Sequence, residues 1–299
     1  MTRPPAPDAF RIDAELAARL VAEQFPRWAG LPVVPVENGG HDNRTFRLGD
    51  GMSIRIPCSA AHAAHLPAEQ RWLPKLAPHL PLPVPVPLAI GRPARGLAWR
   101  WSIRTWLAGE TAAPDRIDDL ERFASDLAAF LGALQRIPTH GGPRPGRDNF
   151  FRGGALAIYD GETRRCIAEL QDVIDARRAT EAWDAALEAA WRGPPAWVHG
   201  DVAAANLLVQ GGRLCAVIDF GQTAVGDPAC DVTIAWTFLT GESREAFRRK
   251  LSADAGTWAR GRGWGLWKAL RKQSQERRPG TAEAAEALRV VEDILSEHP

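Results

Sequence analysis

Apolar residues recur along the chain with two periods, and the dominant period changes near residue 109. In the N-terminal third, Leu16, Leu20 and Val21 share one face at helical spacing, which predicts a helix over Asp13–Phe25 that Pro26 ends. Val33–Val36 is a short strand. Thr45–Leu48 and Met52–Ile56 are two β runs joined by the turn-forming Gly49-Asp50-Gly51, the pattern of a hairpin. Ala60–Leu76 is largely helical. The proline-rich stretch 81–93 is predicted as extended chain, because proline cannot occupy a helix interior. Ala98–Trp106, with Trp99, Trp101, Ile103 and Trp106, is β-prone.

Beyond Gly109 the helical period takes over. Leu120, Phe123, Leu127, Phe130, Leu131 and Leu134 form an apolar stripe, and Thr163–Trp191 is predicted as one long helix. Trp197–Val198, Leu207–Val209 and Leu214–Ile218 are short apolar runs, the last two turned into a hairpin at Gly211-Gly212. From Asp231 to Leu295 the pattern is mainly helical. A β-rich third followed by a mostly helical remainder predicts an α+β chain with two lobes, a smaller one over residues 1–107 and a larger one over 108–299.

The segment that carries chemistry is His199-Gly200-Asp201, followed by Asn206 and then Ile218-Asp219-Phe220-Gly221. Phosphoryl transfer asks for few protein groups: a carboxylate to orient the attacking hydroxyl, oxygen ligands for Mg²⁺, and a cation on the phosphate oxygens. Asp and Asn oxygens are hard ligands suited to Mg²⁺. A metal-dependent hydrolase using His199, Asp201 and Asp219 is an alternative, but no second histidine lies near them in sequence.

The run Trp197-Val-His-Gly-Asp-Val-Ala-Ala-Ala-Asn-Leu-Leu, then Val217-Ile-Asp-Phe-Gly and Val225-Gly-Asp-Pro-Ala-Cys-Asp-Val, resembles the aminoglycoside phosphotransferase and choline kinase-like family. That resemblance implies a bilobal protein-kinase-like fold. It makes Asp201 the catalytic base, Asn206 and Asp219 the Mg²⁺ ligands, and Asp231 a structural acid bracing the catalytic loop, with His199 orienting the same loop. The implied activity is Mg²⁺-dependent transfer of the γ-phosphoryl of ATP, or GTP, to a hydroxyl of an aminoglycoside-like or other small metabolite. A catalytically impaired, kinase-like nucleotide-binding module is the alternative.

That alternative rests on one departure from the kinase pattern. A kinase carries a strand lysine paired with a helix glutamate. Here Met52-Ser-Ile-Arg-Ile-Pro places Arg55 at the lysine position, with Glu69 as its partner, and Lys75 is the sole lysine of the N-terminal third. Arginine keeps its charge and can hold a carboxylate and a phosphate oxygen together. The phosphate-covering loop is expected over Glu37–Asn43, where two glycines permit close approach and Asn43 closes the turn. By the resemblance, the adenine meets the Thr105 carbonyl and the Leu107 amide.

Charge and composition narrow the partners. The formal net charge of the 299 residues is +1, so no global field recruits nucleic acid or an anionic membrane. No apolar run approaches the roughly 20 residues of a membrane span, and the proline-rich start lacks a signal-peptide core, so a cytoplasmic location is expected. Cys58, Cys166, Cys215 and Cys230 lack metal-site spacing and are expected as reduced, structural thiols. Two features bear on the acceptor. Eight acids between Asp160 and Glu188, against four arginines, suit either a polycation or a solvated helix face. Trp258, Trp264 and Trp267 suit either ligand stacking or core packing.

Overall fold

The computed structural model describes residues 12–36, 43–64, 66–275 and 281–297. They fall into two compact units. One runs to Pro78 and resumes over Val84–Ala108; the other comprises His79–Pro83 and the chain from Gly109 onward.

In the first unit, helix α1 (Ala14–Gln24) starts at Asp13, whose carboxylate accepts the Leu16 amide at 3.0 Å. Such a cap is worth about 1 kcal/mol. Strands β1 (Val33–Pro35), β2 (Asn43–Leu48) and β3 (Met52–Pro57) follow, then helices α2 (Ala60–Ala63) and α3 (Leu66–Leu76), then strands β4 (Pro87–Gly91) and β5 (Trp101–Thr105). The strands make one antiparallel sheet in the order β1-β2-β3-β5-β4. Gly49 sits at φ +57° in the β2–β3 turn, a conformation glycine reaches without strain. The stretch predicted as plain extended chain contains β4. Its Pro87 is tolerated because it opens an edge strand, where a missing N–H costs little.

Alternation along β3 divides its side chains between the two faces. Ile54 and Ile56 join Leu16, Leu20, Phe46, Leu48, Trp101 and Ile103 in a buried core. Each such side chain contributes roughly 1.5–3 kcal/mol on burial. A one-residue slip of β3 would drive Arg55 into that core, so the apolar face fixes the register that leaves Arg55 on the other side.

The second unit begins with β6 (Glu110–Thr111) and helix α4 (Leu120–Gln135). Helices α5 (Asp160–Glu169) and α6 (Ala176–Glu188) replace the single long helix predicted over 163–191. The chain breaks there because Asp175 caps a new helix, accepting the Arg178 amide at 3.0 Å. Strands β7 (Ala196–Val198), β8 (Leu207–Gln210), β9 (Arg213–Val217) and β10 (Ala224–Gly226) come next. They form two small sheets, β6-β8-β9 and β10-β7. Helices α7 (Ile234–Thr237), α8 (Gly241–Leu251), α9 (Ala255–Gln275) and α10 (Ala282–Ser296) complete the unit.

The α4 stripe is buried as predicted. Helix α9 is the axis of the unit, and Trp258, Trp264 and Trp267 are buried in its packing. No helix among the described residues is long and apolar enough to cross a membrane. All four cysteines are free, and burial pushes the thiols of Cys166, Cys215 and Cys230 above the ordinary cysteine range, as befits inert packing groups.

Candidate active site

In the first unit, cross-strand register gathers polar side chains on the sheet face opposite the core. Thr45 pairs with Arg55, Arg55 with Ser102 and Ser53 with Arg104, so all five share that face. Helix α3 lays Glu69 over it, only 3 % exposed. The Arg55 Nη1 lies 3.5 Å from Glu69 Oε1. Arg104, 2 % exposed, holds the same carboxylate more tightly, donating from Nη1 at 3.1 Å and Nη2 at 2.5 Å. Glu69 is therefore held chiefly by Arg104, with Arg55 as its weaker partner. The sequence reading missed Arg104; its signal was the alternation Trp101-Ser-Ile-Arg-Thr, which marks a second, polar face on an apolar strand.

Asn43, with its amide oxygen turned to the guanidinium, accepts from Arg55 Nε at 3.0 Å and Nη2 at 2.9 Å. Asn43, Arg55 and Glu69 thus come together, while segment 37–42 of the expected phosphate loop lies outside the described residues. Thr105 ends β5, donating its amide to the Val86 carbonyl at 3.0 Å and accepting the Val86 amide on its hydroxyl at 3.0 Å. Leu107 follows in irregular chain.

In the second unit, the loop after β7 is held from beneath. Asp231, 1 % exposed, accepts the His199 amide on Oδ2 and the Gly200 amide on Oδ1, each at 2.7 Å. Burial pushes its carboxyl up, with His199 and the two amides pulling the other way. His199 bridges the loop to β9: Nε2 donates to the Ile218 carbonyl at 2.9 Å and Nδ1 accepts the Asp201 amide at 3.1 Å. These partners place the ring proton on Nε2. The ring also packs on Phe220, with centroids 4.5 Å apart.

Gly200 lies at φ +88°, and a Cβ there would come within 2.3 Å of the Gln222 carbonyl oxygen. Only glycine allows so tight an approach. Asp201 then sits at the loop tip. Asn206 Nδ2 donates to the Asp201 carbonyl at 2.9 Å and lies 3.4 Å from its Oδ2. The Ile218 amide donates to the Asn206 carbonyl at 2.9 Å, tying the loop to the residue before Asp219. Asp219 takes a left-handed conformation, φ +65°, uncommon for a residue with a side chain.

Two cations act on Asp201, one of them in contact with it. Lys268 on α9 donates to Asp201 Oδ1 at 2.9 Å. Arg152 is buried nearby, with Nε donating to Gln222 Oε1 at 2.9 Å and its guanidinium carbon 5.1 Å from the ring centroids of both Trp264 and Trp267. Burial pushes the Asp201 carboxyl up, but the charge and hydrogen bond of Lys268, then the charge of Arg152, outweigh it and leave the group below the usual carboxylate range. The sequence reading missed both cations. A lone lysine inside the tryptophan-rich run 264–270 was the only mark.

The acids of 160–188 are largely spent. Arg164 pairs with Asp160 and Asp184, Arg177 with Glu181, and Arg165 with Glu169. Glu162 accepts the Trp267 indole at 2.7 Å and faces Arg271.

Comparison with known proteins places this geometry. The model of the phosphotransferase enzyme family matches residues 33–264. An aminoglycoside 3'-phosphotransferase of Escherichia coli is 28% identical over 163 residues, which is 50% of this chain and 56% of the relative. The chain thus spans about half the length of the curated relatives it matches. The GDP complex of wild-type aminoglycoside 2'-phosphotransferase-IIIa superposes with a TM-score of 0.70 at 16% identity, covering 96% of this chain and 99% of that one. A macrolide 2'-phosphotransferase from Brachybacterium faecium gives 0.61 at 21% identity, covering 93% and 97%. The fold is shared with these enzymes, as the α+β pattern led one to expect.

Proposed function

Because the chain belongs to the phosphotransferase enzyme family, we propose that it moves the γ-phosphoryl of ATP or GTP, with Mg²⁺, to a hydroxyl of a small molecule. The observation that carries this reading is the built loop around Asp201, held by Asp231 from below, by His199 along β9 and by Asn206 across its tip. So much fixation of one carboxylate suits a group that must orient a nucleophile. It also speaks against an impaired nucleotide-binding module.

Asp201 Oδ1 is engaged by Lys268 at 2.9 Å and Oδ2 only by Asn206 at 3.4 Å, so Oδ2 is the oxygen better placed to accept the acceptor's hydroxyl proton. Asn206 and Asp219 would hold the metal. The Asn206 amide nitrogen is committed to the Asp201 carbonyl, so Oδ1 is its ligand atom. No three His, Cys, Asp or Glu side chains among the described residues could hold a metal by themselves. One carboxylate and one amide oxygen nonetheless suffice for an ion that also takes phosphate oxygens and water. When bound, the ion neutralises charge on the phosphates.

We assign nucleotide handling to residues 1–107 and catalysis with acceptor binding to 108–299. Arg55 and Asn43 would hold phosphate oxygens, Glu69 and Arg104 would fix Arg55, and Thr105 and Leu107 would meet the base through their backbone. The acceptors named for the relatives are aminoglycosides and macrolides. For this chain the coarse class is a small hydroxylated molecule. The test is thermal unfolding with nucleotide, with and without Mg²⁺, paired with nucleotide consumption. The expected result is stabilisation by Mg²⁺ and nucleotide together and consumption that depends on an acceptor. Absence of both would refute the reading.

A further inference from the structure

Two cations act on Asp201, and only Lys268 is hydrogen-bonded to it. Lys268 Nζ is 2.9 Å from Asp201 Oδ1, a pair that neutralises itself. Arg152 is different. It is 5 % exposed, and its Nη1 is buried without a hydrogen-bond partner. Its Nε contact is to a neutral amide, that of Gln222, and the neutral rings of Trp264 and Trp267 lie beside its guanidinium. Those rings are braced in turn, with Tyr159 stacked on Trp267 at 3.9 Å and donating its hydroxyl to the Phe150 carbonyl at 2.7 Å.

A buried guanidinium with no carboxylate in hydrogen-bond contact is costly. Its position ties it to the reacting group. Gln222, which it grips, lies with its carbonyl against Gly200, the residue before Asp201. Trp267, on which it lies, precedes Lys268 in α9. Arg152 also bears on Asp201 electrostatically. The nearby acids are committed elsewhere: Glu162 to Trp267 and Arg271, and Asp231 to the loop amides.

We infer that the acceptor is a small hydroxyl-bearing anion, a carboxylate or phosphate monoester, whose negative group is held by Arg152 beside the self-neutralised Lys268–Asp201 pair while its hydroxyl faces Asp201 Oδ2. This rests on the phosphoryl-transfer reading above and narrows its substrate class. An arginine with an unpaired buried donor matches the planar or tetrahedral oxygens of such groups. A polyamine would meet the buried Arg152 charge there, and like charges juxtaposed in a desolvated site are strongly disfavoured.

The experiment uses the full chain with Mg²⁺ and ATP, and matched acceptor pairs: hydroxy acids against their neutral amides, sugar phosphates against the free sugars, and aminoglycosides as the cationic class. The expected result is at least a tenfold higher kcat/KM for the anionic member of one pair; which pair responds tells carboxylate from phosphate. Arg152→Gln should raise the acceptor KM by tenfold or more and erase the discrimination, and Arg152→Lys should restore part of it. Because Arg152 is buried, Lys268→Gln, at a side chain 24 % exposed, serves as the second variant and should weaken the same preference by leaving Asp201 un-neutralised. Preference for neutral or cationic acceptors would overturn the inference and leave the phosphotransferase intact. So would stabilisation by Mg·ATP with no anion consumed, or discrimination unchanged in both variants. No stabilisation by Mg·ATP and no consumption with any acceptor would instead remove the parent reading.

Discussion

Asp201 is set between opposed influences: burial raises its carboxyl, and Lys268 with Arg152 more than reverses that. A proton acceptor must be ionised to work, so the acid limb of kcat/KM should lie below the ordinary carboxylate range. In Lys268→Met the burial remains and the main opposing charge is gone, so the limb should move to higher pH. His199 and Arg152 also face the group and are unchanged in that variant. Superimposable pH–rate profiles would contradict this account of the site. In the first unit the two arginines on Glu69 should separate by readout. Glu69→Ala strands a buried Arg104 and should cost about 3–5 kcal/mol in urea unfolding. Arg55→Ala removes a partly exposed side chain and should cost no more than about 1–2 kcal/mol while impairing nucleotide use. Equal destabilisation by the two would show that Arg104 does not dominate the cluster. Asp201, Asn206 and Asp219 could be proposed from sequence because one loop and one hairpin carry them at short spacing. Lys268 was not, since it reaches Asp201 across 67 residues through the packing of α9, which no local pattern encodes.

The loop after β7 is an element with almost no regular hydrogen bonding of its own, and it is held by side chains. Asp231 satisfies two buried amides that have no alternative acceptor in a strand or helix, and each charge-assisted bond of this kind is worth about 1.5–3 kcal/mol. The segment carrying Asp231 is anchored by a buried pair, Arg260 Nε donating to Asp227 Oδ2 at 2.6 Å and Nη2 to Oδ1 at 3.1 Å. Asp231→Ala should therefore destabilise the chain by about 2–5 kcal/mol and lower turnover in the fraction that stays folded. Unchanged unfolding and full activity would mean that the loop holds itself. Long helices and the two glycine-turned hairpins were readable because their periods run over many residues. The two- and three-residue strands β6 and β10 carry too few positions for a period. The break between α5 and α6 hid in a run without glycine or proline, where only the Asp175 cap marks it.

At the scale of the molecule, the first unit carries a polar sheet face with Arg55 and Asn43, and the second carries a braced loop around Asp201. The α+β class and the family were readable because the change of period near Gly109 and the three motifs of the second unit are contiguous in sequence. The acceptor was not, because the groups around Asp201, Lys268 among them, come together only through tertiary packing. The central claim is that this carboxylate drives transfer of a phosphoryl group to a hydroxyl. It is tested most directly by following γ-labelled phosphate from ATP onto the preferred acceptor with the native chain and with Asp201→Asn. The substitution preserves size and the loop's backbone bonds while removing the proton acceptor. The account predicts Mg·ATP affinity unchanged within about twofold and transfer slowed by roughly 10²–10⁴-fold. Transfer by Asp201→Asn at the native rate would contradict it.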